Sequence, residues 1–104
     1  MPENNTFRII VELVEAGIFC NSATTISLLY MLILNEAEQE NIQLNKSKLI
    51  AYIPDGLGSL TRKRAALERL IWLGGLYTKA GSKRSEKLVF LSDRSKEILR
   101  KEPD

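Results

Sequence analysis

The stretch from Ser59 to Ser92 constrains the fold more than any other part of the chain. Leu60, the aliphatic stem of Lys63, Ala66, Leu67, Leu70 and Leu73 or Gly74 recur at helical spacing, which predicts an amphipathic helix with those positions inward. Ser59 offers a side-chain oxygen to cap its first turn, and the pair Gly74-Gly75 ends it. Residues 76–80 and 87–91 then read as paired strands around the polar segment 81–86. Ser92 or Asp93 caps a short last helix containing Ile98 and Leu99. A helix closed by glycine and followed at once by a ribbon leaves few ways to build the rest of a small core.

The remainder of the chain reads as scaffold for that unit. Residues 1–5 and 101–104 are polar and expected to fray. From Thr6 onward Phe7, Ile10, Leu13, Val14 and Ile18 share a helical face, with Glu12 and Glu15 opposite and Gly17 at the end; Ile9 to Val11 would equally begin a strand. Asn21-Ser22 caps a long helix over residues 22–41. Its run from Ile26 to Leu34 is apolar around nearly the whole circumference, so burial is expected both against the domain's own core and against a second subunit. Beyond Asn35 it turns acidic, and residues 41–45 read as a loop. Lys46 to Ile53 forms a short helix with Leu49, Ile50 and Ile53 inward, and Pro54 to Gly58 makes a turn. The expected fold is mainly α with a small β-hairpin, in the order α-α-α-α-β-β-α, as a single domain over residues 1–104.

Composition excludes more than it assigns. With 44% hydrophobic and 27% charged residues, the chain has the balance of a globular domain rather than a disordered one. The lone Cys20 has no intramolecular disulfide partner, which fits a cytoplasmic setting, and it suits a core position better than a nucleophile's. No signal peptide is read at the N-terminus, and the apolar run at Ile26 is far short of the roughly 20 residues of a membrane span. Histidine is absent, so neither a histidine base nor a histidine metal ligand is available. No Gly-rich phosphate loop is present, and the glutamates form no evident pair. The expectation is a protein that is not an enzyme and has no cofactor or metal.

The charge is divided along the chain. Residues 1–45 hold one basic side chain, Arg8, against six glutamates, whereas residues 46–104 hold fourteen basic and seven acidic ones. A basic half of this kind suits a polyanionic partner. The short helix, the turn and the helix from Ser59 form a helix-turn-helix, and the ribbon adds a wing, so the order of parts is that of a winged helix-turn-helix. In such readers the start of the second helix faces base edges. The positions concerned here are Ser59, Thr61, Arg62, Lys63, Arg64 and Ala65, with Lys83 and Arg84 at the wing tip. Arginine suits guanine, and threonine or alanine can touch a thymine methyl.

The segment Leu67-Glu-Arg-Leu-Ile-Trp-Leu-Gly-Gly-Leu-Tyr, the basic hairpin, and Val89-Phe-Leu-Ser-Asp-Arg-Ser-Lys-Glu-Ile-Leu resemble the recognition helix, wing and following helix of MarR-like and PadR-like transcriptional regulators. With Leu28-Leu-Tyr-Met-Leu-Ile-Leu before it, the same stretch also resembles winged-helix domains of plasmid and phage replication initiators. The resemblance spans residues 22–101 and implies a homodimer that binds double-stranded DNA through Thr61, Arg62, Arg64, Ala65, Lys83 and Arg84. The chain departs from MarR-like proteins in three ways. Its wing reads Ser82-Lys-Arg-Ser-Glu86 without their Asp-x-Arg, residues 54–58 lengthen the turn, and their long C-terminal dimerisation helices are not expected. Any dimer would then use the first, second or last helix. These departures motivate a second expectation, a winged-helix adaptor that docks a protein through the long helix or Trp72; single-stranded DNA is a third possible partner. Trp72 reads either as such a docking or stacking residue or as a partly buried one packed on the wing or first helix. Tyr30 suits the core or a dimer seam, and Tyr77 suits either role.

Overall fold

Helix α1 (Ser22–Gln39) is apolar nearly all round because it is buried nearly all round within one chain. Ile26, Leu29, Tyr30, Leu32, Ile33 and Leu34 are all buried, and Leu28 is the only exposed large side chain of that run. The apolar circumference therefore needs no second subunit to cover it. The structure, a computed structural model, describes Ala16 and residues 22–100. Apart from Ala16, the helix expected from Thr6, Cys20 and both chain ends lie outside the described residues.

The described residues are mainly helical, with a small antiparallel sheet of three strands. Helix α1 ends at Gln39, two residues before the expected boundary, and Asn41 beyond it takes φ 58°. There Ile42 N–H donates to the Ala37 carbonyl (2.8 Å) and Asn41 N–H to that of Glu38 (3.2 Å), the bond pair of a left-handed helix terminus. The residues expected as loop, 41–45, instead contain strand β1 (Leu44–Asn45). It is too short for any alternating pattern, and only tertiary pairing with Val89 and Leu88 defines it.

Asn45 then caps α2 (Lys46–Ala51), accepting from Lys48 N–H at 2.8 Å. This helix stops two residues short of Ile53, and the turn after it is a 3₁₀ segment, Asp55–Leu57, with Leu57 in the core. Helix α3 (Leu60–Trp72) is capped by the Ser59 hydroxyl, which accepts from Arg62 N–H at 3.2 Å. Gly75 N–H to Leu70 O (2.9 Å) and Gly74 N–H to Ile71 O (3.1 Å) close it, with Gly74 at φ 84°, a conformation that a side chain would strain. Strands β2 (Leu76–Ala80) and β3 (Lys87–Leu91) pair with the expected boundaries, and the sheet order is β1-β3-β2. Its core face carries Leu44, Leu76, Val89 and Leu91. Ser92 caps α4 (Asp93–Arg100) by accepting from Ser95 N–H (3.3 Å); both serine hydroxyls donate to the Gly75 carbonyl, at 3.0 and 2.7 Å. The end of α3 and the start of α4 are thereby tied together at the base of the ribbon.

Helix α1 packs on α3 and β3, with Tyr30 at the contact. Its hydroxyl donates to the Lys63 carbonyl at 2.8 Å, and burial pushes its pKa up to about 12. Lys96 pairs with Glu38 at 3.2 Å, fixing α4 to α1. Glu36 is also buried, and desolvation together with the charge of Glu40 raises its carboxyl pKa.

Candidate nucleic-acid interface

Helical geometry sorts five of the eight expected site residues. Successive side chains turn by about 100° around an α-helix, so with Lys63 inward Arg62 and Arg64 project about 100° to either side. Thr61 and Ala65 fall on the outward stripe between them, and Trp72 continues that stripe at the far end. Burial agrees: Lys63 is 5% exposed, whereas Thr61, Arg62, Arg64 and Ala65 are exposed.

Lys63 therefore parts company with the others. Its ammonium donates to the Ile53 carbonyl (3.0 Å) and to Asp55 Oδ1 (2.9 Å), beneath the turn rather than towards solvent. That hydrogen bond, and then the charge of the ammonium, hold the exposed Asp55 carboxyl below its ordinary pKa. The inward aliphatic stem was legible from the spacing. The grouping of Lys63 with outward contact residues is corrected by this burial.

Ser59 is exposed, but its hydroxyl is engaged as the α3 cap. Arg62 folds its stem over Gly58, where an added Cβ would lie 2.8 Å from Arg62 Cδ. Lys83 and Arg84 are exposed on the loop between β2 and β3. Glu86 shapes that loop, accepting from Ser82 N–H (3.2 Å) and from Asn45 Nδ2 (3.3 Å), so the ribbon tip is braced against β1.

The helix and the loop share one cleft of about 600 Å³. Arg64 lines it from α3 and Lys83 from the loop, over a floor that includes Ile50, Leu60 and Leu67. Thr61, Arg62, Ala65 and Arg84 lie outside its lining. Four further charged residues line it that sequence reasoning missed: Lys46 and Lys87, with Glu68 and Glu86. Lys46 is at the start of α2 and Lys87 at the start of β3, so only tertiary structure brings them together. Among the described residues Arg64, Lys83, Arg84 and Lys87 form no ion pair, whereas Lys46 Nζ meets Glu68 Oε1 at 2.6 Å.

Several exposed apolar groups depart from expectation. Leu60 is 51% exposed because the first turn of α3 has only the cleft beside it, and Leu73 and Gly74, past the last helical turn, are exposed as well. Trp72 is 84% exposed, so it is not packed on the wing or elsewhere. Tyr77 stacks on Phe90 across the ribbon at 5.5 Å, and Lys79 Nζ lies over both rings.

No family model matches this chain, and no curated protein or solved structure was found to be similar to it. Among the described residues no cluster of His, Cys, Asp or Glu is arranged to hold a metal, and no helix is long and apolar enough to cross a membrane.

Proposed function

We propose that this chain is a winged helix-turn-helix protein that binds double-stranded DNA as a small cytoplasmic regulator of transcription or replication. In this reading α2 and α3 form the helix-turn-helix, and the β2–β3 ribbon is the wing. The observation that carries the proposal is the convergence of Arg64 and Lys83, from two separate elements, on one cleft that Lys46 and Lys87 also line. The outward stripe of α3 supports it. Thr61 and Ala65 are small enough to let the helix sink into a major groove about 12 Å wide, while Arg62 and Arg64 flank them, with Arg64 in reach of base edges. The partner's symmetry would follow from a homodimer that addresses two half-sites about one helical turn apart.

Fluorescence anisotropy with labelled duplex and single-stranded oligonucleotides at low salt tests the proposal. Saturable binding with duplex preference supports it; no binding to either would end it. Lys83→Ala and Arg84→Ala are expected to weaken binding equally on all sequences. Each should lower the slope of log affinity against log salt by about 0.9, the signature of one lost phosphate contact.

The exposed Trp72 favours a second reading, an adaptor that docks a protein partner on the outer end of α3. Under the DNA reading Trp72→Ala leaves duplex affinity unchanged, because recognition lies at the other end of the helix. In a pull-down, loss of a partner on Trp72→Ala but not on the double change Arg62→Ala and Arg64→Ala would favour the adaptor.

A further inference from the structure

The cleft holds its own competitor for phosphate. Of its four cationic side chains, Lys46 alone is neutralised, by Glu68 at 2.6 Å across the gap between α2 and α3. Both partners are partly solvent-exposed, at 33% and 58% of their side chains, so the pair can exchange with an incoming anion. Glu86 lines the same cleft but is held by Asn45 and Ser82, with the loop it braces. Glu68 has no such second duty among the described residues, since its side chain meets only Lys46.

We propose that the Lys46–Glu68 pair is a built-in restraint on DNA binding. Resting on the DNA reading above, the inference is that a sugar–phosphate strand enters the cleft between α3 and the ribbon. Lys46 turns from Glu68 to a phosphate, and Glu68 is left facing the polyanion. Glu68 thereby limits affinity and keeps non-specific binding weak, because a phosphate must take Lys46 from it and then lie near its uncompensated charge. The pair's own worth is small, as for other exposed ion pairs, which makes the exchange reversible. Lys46 and Lys87 become phosphate contacts beside Lys83.

The test is a double-substitution cycle by fluorescence anisotropy, on a labelled random-sequence duplex about two helical turns long. Glu68→Gln is expected to bind about two- to fivefold more tightly than the unsubstituted protein, the range set by releasing one exposed pair. Lys46→Ala is expected to weaken binding and to lower the salt slope by about 0.9. In the Lys46→Ala background, Glu68→Gln should then give a distinctly smaller gain. Thermal melts of all three variants establish that they are folded. Unsubstituted protein that binds while Glu68→Gln gains nothing, or an equal gain with and without Lys46, overturns the restraint but leaves the DNA reading standing. Failure of both the unsubstituted protein and Glu68→Gln to bind overturns the two together.

Discussion

Arg64→Ala is expected to lower affinity for the preferred duplex about five- to 150-fold and to flatten discrimination at one base position. The range corresponds to about 1–3 kcal/mol, the worth of a good bidentate contact between arginine and guanine. Three observations single out Arg64 among the basic residues. It projects from the first turns of α3, it lines the cleft shared with Lys83, and it forms no ion pair among the described residues. The measurement has two stages: selection of the preferred sequence from a randomised duplex pool, then competition with single-base variants of it. An affinity loss that is uniform over all variants, with a reduced salt slope, would reassign Arg64 to the phosphate backbone. An unchanged affinity would remove α3 from the interface.

Lys63→Met is expected to produce the opposite pattern, a less stable protein that still binds DNA when folded. Methionine keeps most of the aliphatic stem but cannot donate, so the Ile53 carbonyl loses the ammonium that reaches it at 3.0 Å. An unsatisfied buried carbonyl costs about 1–3 kcal/mol, and each kcal/mol lowers the melting temperature of a domain this size by about 4–8 °C. The pH dependence has a definite sign. Asp55 has a lowered pKa in the folded protein, so its pairing with Lys63 stabilises at neutral pH and is lost as pH falls through that value. The stability gap between the unsubstituted protein and the Lys63→Met variant should therefore narrow in acid, though only slightly, because Asp55 is exposed and well screened. Equal melting temperatures with reduced DNA affinity would return Lys63 to the contact set.

The sequence was most legible where local rules act alone. Both ribbon strands, the Ser59 cap and the Gly74-Gly75 terminus needed only spacing, a hydroxyl and a glycine. Strand β1 was not legible because two residues have no period and its partner lies far along the chain in β3. Leu60 departs from expectation, and Trp72 takes the exposed one of its two expected placements, for a related reason. Periodicity tells which way a side chain points but not whether a neighbouring element extends far enough to cover it. The candidate site was half legible: Arg64 and Lys83 stood out as exposed cations at the expected ends of their elements. Lys46, Lys87 and Glu68 come together only once α2, α3 and β3 are folded against one another.

The buried lysine between two arginines has a consequence for how such a protein can diversify. Stability in this turn of α3 rests on position 63, gripped through its carbonyl by Tyr30 and through its ammonium by Ile53 and Asp55. Positions 61, 64 and 65 are exposed, whereas Arg62 lays its stem over Gly58. A library randomised at those three sites, with Arg62 and Lys63 held constant, should fold nearly throughout. Under the DNA reading proposed above, new sequence preferences could then be drawn from this helix without rebuilding the core beneath it.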